Sequence, residues 1–109
     1  MNHGTNDSRY PSETFRQAYA RLLAVIRQVH PRAMIVCLTP LCGVFPGEVA
    51  ACVADRQAAG DRRICCISTQ GWLPPEPVHP LRDGHRLVAD HLTPLLGAII
   101  HALTKEETA

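Results

Sequence analysis

Two short, unbroken apolar runs bracket a helix-length segment, and this arrangement narrows the possible folds more than any other feature of the chain. Residues 33–38 read Ala-Met-Ile-Val-Cys-Leu, and residues 64–67 read Ile-Cys-Cys-Ile. Neither run alternates polar with apolar residues, so each suits a parallel strand buried on both faces. Between them, residues 48–59 carry Val49, Cys52 and Val53 at weakly helical spacing, and Gly60 stands where a helix would end. Parallel strands need a crossover of this kind, so the three segments predict one right-handed βαβ unit.

Helices are predicted on either side of that unit. Ser12 reads as an N-cap with Glu13 favourably placed against the helix dipole. Phe15, Ala18, Tyr19, Leu22, Leu23, Ile26 and Val29 then follow as one apolar face, and His30-Pro31 ends it. Residues 1–11 and the proline-rich residues 68–80 read as loops. From about Leu81 a second amphipathic pattern runs through Val88, Leu92, Leu95, Leu96, Ile99 and Leu103. Pro94 leaves the Asp90 carbonyl without its helical donor, which predicts a kink or break there. Residues 105–109 read as a polar, frayed tail. Two predicted strands offer little surface for three helices, so further strands are expected ahead of Met1.

Composition excludes several classes of function. The 109 residues hold 11 Lys plus Arg against 10 Asp plus Glu, a net charge of +1 that gives no footprint for nucleic acid or an anionic membrane. No apolar run approaches the ~18–20 residues of a bilayer span, and the N-terminus lacks the parts of a signal peptide. The expectation is a cytoplasmic chain without membrane or nucleic-acid partners. Five cysteines at uneven spacing, with no CxxC, read as reduced thiols and not as a zinc site or a disulfide frame. No Gly-x-Gly-x-x-Gly or Walker motif supports nucleotide binding.

Two motifs carry chemistry. Gly4-Thr5-Asn6-Asp7 combines a glycine that lets the backbone turn sharply with an asparagine whose amide can donate to a developing oxyanion. Glu76-Pro77-Val78-His79-Pro80, followed by Asp83-Gly84-His85, puts a carboxylate three residues before a histidine that precedes a helix. That spacing lets Glu76 orient the imidazole and stabilise its protonated form, so His79 can act as a general base. His85, at the start of the helix, reads as a packing or capping residue.

In order and separation these motifs resemble those of the SGNH hydrolases, the GDSL esterase/lipase family. The family's Gly-x-Asn-Asp block is matched by Gly4–Asp7, and its Asp-x-x-His-Pro block with the following Gly-His is matched from Glu76 to His85. The resemblance implies an α/β fold, a flavodoxin-like three-layer α/β/α sandwich with parallel strands. It implies ester hydrolysis through an acyl-enzyme on small acyl esters such as acetylated carbohydrate, without a cofactor. Asn6 would be the oxyanion donor, with Gly4 and Thr5 beside the substrate. His79 would be the base and Glu76 its orienting carboxylate, in place of the usual Asp.

The family's Gly-Asp-Ser block, which supplies the nucleophile, has no counterpart here. Ser8 follows the Asn6 motif too closely, Ser12 is accounted for as a cap, and Ser68 lies in no nucleophile motif. Cys42, after the first strand, has nothing near it in sequence to lower its pKa. Residues 1–104 therefore read as the carboxyl-terminal portion of such a domain, inactive without its serine, with a start that falls inside a strand. The alternative is a non-catalytic remnant or interaction module. In either case the strand at residues 33–38 should expose an edge that invites oligomers.

Overall fold

The computed structural model describes residues 1–74 and 79–108 and contains three α-helices and a two-stranded parallel sheet, a mixed α/β structure. It divides into two compact units, residues 1–70 and residues 71–109.

In the first unit a short 3-10 turn at Thr5–Asp7 leads into α1, Ser12–Val29. Pro11 occupies the N-cap position and no side chain caps the helix, so Ser12 is the first helical residue and not the expected cap. Phe15, Tyr19 and Leu23, spaced by four, form the buried stripe of α1. Strand β1, Ile35–Leu38, is shorter at its start than the apolar run. The Ala33 N–H is turned back to the His30 carbonyl at 3.3 Å, and the Ala33 carbonyl accepts from Arg27 at 2.7 Å, so this residue is committed to a turn.

Helix α2, Pro46–Ala58, begins earlier than the apolar pattern indicated, because a proline at the first helical position loses no intrahelical bond. Phe45 precedes it with φ +54°, a strained conformation for an aromatic residue. Its ring stacks on Phe15 at 4.1 Å and 8°, which holds it there. Gly60, with φ +103°, ends α2 as expected.

Strand β2, Ile64–Ile67, pairs in parallel with β1, Ile35 opposite Ile64 through Leu38 opposite Ile67. Helix α2 packs on both strands and on α1. Val49, Cys52 and Val53 of α2 meet the α1 stripe over Ile35, Cys37 and Ile64 of the sheet to form the core. The other faces of Val36, Cys65 and Ile67 are only half-buried. Within this unit the sheet therefore carries one helical layer. Among the described residues, the Tyr19 hydroxyl is the buried side-chain oxygen without a hydrogen-bond partner.

The second unit contains α3, Arg82–Thr108. Of the kink or break expected at Pro94, the break does not occur, and the helix runs on to Thr108. Asp90 and Pro94 are both exposed, so water can satisfy the freed carbonyl. The expected frayed tail is helical to Thr108, with the Thr108 hydroxyl donating to the Thr104 carbonyl at 3.2 Å.

Contrary to the expectation of no long apolar run, α3 is long and apolar enough to cross a membrane by composition. An 18-residue window averages a hydropathy of 1.4. Its apolar residues nevertheless form a stripe. Val88, Leu92, Leu96, Ile99 and Leu103 are half-buried at steps of three and four, while Asp90, His91 and His101 are exposed.

Candidate active site

The Gly4–Asp7 motif is seated by its glycine. Gly4 is buried with φ +127°, and a Cβ there would lie 3.0 Å from both Phe15 Cε2 and Pro40 Cγ. Only a glycine fits both the conformation and the gap. Because Pro40 follows the carboxyl end of β1, the contact fixes the turn at that end of the sheet, where the sites of open α/β folds collect. Asp7 N–H donates to the Gly4 carbonyl at 3.0 Å and closes the turn.

Asn6 lies on this turn, exposed, and its amide makes no hydrogen bond to the described residues. It is therefore free to donate to an incoming oxygen. Thr5 is half-buried beside it. A groove of about 260 Å³ borders the turn, lined by His3, Asp7, Tyr10, Phe15, Ala18 and Leu22 among others.

A buried threonine pair ties the carboxyl ends of the strands together. The Thr69 amide donates to Thr39 Oγ1 at 2.8 Å, and Thr69 Oγ1 donates to the Thr39 carbonyl at 2.9 Å. Both hydroxyls of the pair thus have partners, and the loop leaving β2 is pinned to the loop leaving β1. Nothing in the sequence marks these two residues as partners.

In the second unit His79 is exposed and stands directly before Pro80. A Cβ on Gly84 would lie 2.9 Å from the Pro80 Cβ, so the glycine of Asp83-Gly84-His85 admits the His79-Pro80 turn against the first turn of α3. His85 takes part through its backbone, donating to the Leu81 carbonyl at 2.9 Å. Its side chain is exposed, which does not fit the packing role expected for it. Trp72 is buried and stacks on His91 at 5.1 Å and 5°, so the Gly71-Trp72-Leu73 segment is held on α3 through a histidine that sequence reasoning missed. Glu76 and Pro77 lie outside the described residues.

The structure thus gathers Gly4, Thr5 and Asn6 at Pro40 in one unit, and His79, Pro80 and Gly84 in the other. Among the described residues, no hydroxyl or thiol considered as a nucleophile is hydrogen-bonded to a histidine. Ser8 and Ser12 are exposed beside the first turn and at the start of α1, and Ser68 Oγ accepts from the Gln70 amide at 3.3 Å. Cys42 is half-buried in the turn after β1. Burial raises the thiol pKa of Cys37, Cys52, Cys65 and Cys66, which keeps them protonated and unreactive. Among the described residues no cluster of His, Cys, Asp and Glu is suited to a metal ion.

The strongest charge network lies at the opposite end of the strands. Arg27 grips both Asp61 carboxylate oxygens, at 3.0 and 3.1 Å, and donates to the Ala33 and Arg63 carbonyls. Arg56 binds the same carboxylate at 3.2 Å. Burial would raise the Asp61 pKa, but donors from Arg27, the Arg63 amide and Arg56 outweigh it and hold the carboxyl below its ordinary value. A groove of about 650 Å³ opens over these residues. Its central charges are spent on one another, so we assign it to the closure of the α1–β1 and α2–β2 connections and not to catalysis.

No protein-family model, curated protein or solved structure matches the chain.

Proposed function

We propose that this chain carries the oxyanion-stabilising and general-base residues of an SGNH-type ester hydrolase, and that the nucleophilic serine comes from a segment outside these 109 residues. The observation that supports this most is the seat of Gly4. A glycine required by both φ and contact holds an Asn6 amide that has no partner among the described residues at the carboxyl end of a parallel strand. In this reading the two strands belong to a larger flavodoxin-like sheet.

The serine hydroxyl attacks the ester carbonyl while His79 takes its proton. The Asn6 amide stabilises the oxyanion, and the protonated His79 passes its proton to the leaving alcohol. Water, deprotonated by His79, then releases the acid. Glu76 holds the imidazole in the tautomer this sequence needs. Small acyl esters, acetylated carbohydrate among them, are the substrate class, and no cofactor takes part.

The test is covalent trapping with a fluorophosphonate, which reacts with activated serines. The 109-residue chain should remain unlabelled. A chain completed by a Gly-Asp-Ser-bearing segment should be labelled at that serine, with labelling lost in His79→Ala. Labelling that is indifferent to His79 would contradict the assignment. The second reading, a non-catalytic interaction module, is favoured by the part of the outer edge of β1 that Met1 does not cover, and it predicts no labelling in either form.

A further inference from the structure

Strand β1 has an inner edge against β2 and an outer edge, and the outer edge is already partly occupied. On the inner side, Ile35 N–H donates to the Arg63 carbonyl at 2.8 Å and Thr39 N–H to the Ile67 carbonyl at 3.0 Å. Backbone groups alternate in direction along a strand, so those of Val36 and Leu38 face outward. There, Leu38 N–H donates to the Met1 carbonyl at 2.8 Å, and the Met1 amino group donates to the Val36 carbonyl.

A single residue that bonds the carbonyl of one position and the amide two positions later is the bridge of a parallel pair, here centred on Cys37. An antiparallel partner would exchange both bonds with one residue. The side chains agree with the parallel register. Met1 packs against the same core cluster that contains Cys37, as partners on one face must.

The ladder fixes what comes next along this edge. A residue two positions ahead of Met1 would accept from Val36 N–H and donate to the Met34 carbonyl. We infer that the outer edge of β1 is a strand-addition site. Its occupant is an extended segment joined to the Met1 amine, running parallel to β1, with the residue two before Met1 opposite Ile35. A separate peptide in the same direction would have to end against the Met1 amino group, and a second copy related by a two-fold axis would approach antiparallel.

Both faces of this strand would be apolar. One continues the packing of Met1 on the core, and the other lies beside the half-buried Val36. The strand would then lead through Met1 directly into the Gly4–Asp7 turn. The inference rests on main-chain geometry and stands whether or not the chain takes part in hydrolysis.

Amide hydrogen exchange tests it. In the 109-residue chain the outward Val36 amide should exchange about tenfold or more faster than the inward Cys37 amide. Adding a β-branched extension of about six residues ahead of Met1 should slow Val36 exchange by about tenfold or more. A proline two positions before Met1 should abolish that protection, because it removes the donor to Met34. A proline immediately before Met1, whose nitrogen faces away, should leave the protection in place. Val36 exchange that ignores the extension would overturn the inference, as would equal damage from the two prolines. So would Val36 protection in a dimer of the unextended chain.

Discussion

Gly84 lies under Pro80 so closely that a Cβ would fall 2.9 Å from the Pro80 Cβ. The turn that carries His79 therefore depends on the absence of a side chain at the start of α3. Gly97, in the same helix, has nothing within 4 Å of its own Cβ position. Gly84→Ala should cost about 1–3 kcal/mol through overpacking. Gly97→Ala should instead gain up to about 1 kcal/mol of helix propensity. Urea unfolding of the two variants checks the pair, and equal effects would show that Pro80 does not rest on Gly84.

Gly4 and Asn6 are two residues apart and do different work. Gly4→Ala forces a Cβ into φ +127° between Phe15 and Pro40, and should cost about 2 kcal/mol or more. Asn6→Ala removes an exposed amide without a partner among the described residues, and should change stability by no more than about 0.5 kcal/mol. Thermal unfolding separates these outcomes. A large loss of stability in Asn6→Ala would mean that its amide is structural and not available to substrate.

Asp61 links stability to pH. Its carboxyl is held below the ordinary value in the folded chain, so the unfolded chain binds its proton first as pH falls. The contribution is complete above the unfolded pKa, near 4, and is lost as pH drops through the folded value. Asp61→Asn should be less stable at pH 7 by about 1–3 kcal/mol and show a flatter acid limb. Arg27→Lys should share much of the loss at pH 7, because an ammonium cannot supply the forked contacts to Asp61 and the two carbonyls. Urea titrations from neutral to acid pH measure both, and parallel acid limbs in wild type and Asp61→Asn would refute the linkage.

The parts of the fold visible in the sequence are those set by local pattern. Ile64–Ile67 forms a strand over the whole of its apolar run, and α1 stops at His30 because Pro31 follows. The parts that were not visible depend on distant partners. Residues 33 and 34 look like strand, yet Arg27 takes the Ala33 carbonyl for itself. Arg27 and Asp61 are 34 positions apart, and Thr39 and Thr69 are 30 apart, so no spacing rule pairs them. Pro94 does not break α3, since the carbonyl it leaves without a donor is solvent-exposed and the lost bond therefore inexpensive. At the candidate site, Gly4 and Gly84 were legible as motif glycines, but the contacts that require them, Pro40 and Pro80, were not.

Steady-state hydrolysis of an aryl acetate tests the hydrolase assignment most directly. The 109-residue chain should turn over no faster than its His79→Ala variant, because loss of the serine of a triad costs about 10⁶ in turnover. Completed by an upstream segment that carries the Gly-Asp-Ser block, the chain should gain turnover that falls about 10²–10³-fold in Asn6→Ala, as expected for loss of one oxyanion donor. His79→Ala should return it to background. Turnover by the 109-residue chain alone that depends on His79 would contradict the account, as would turnover in the completed chain that is indifferent to Asn6 and His79.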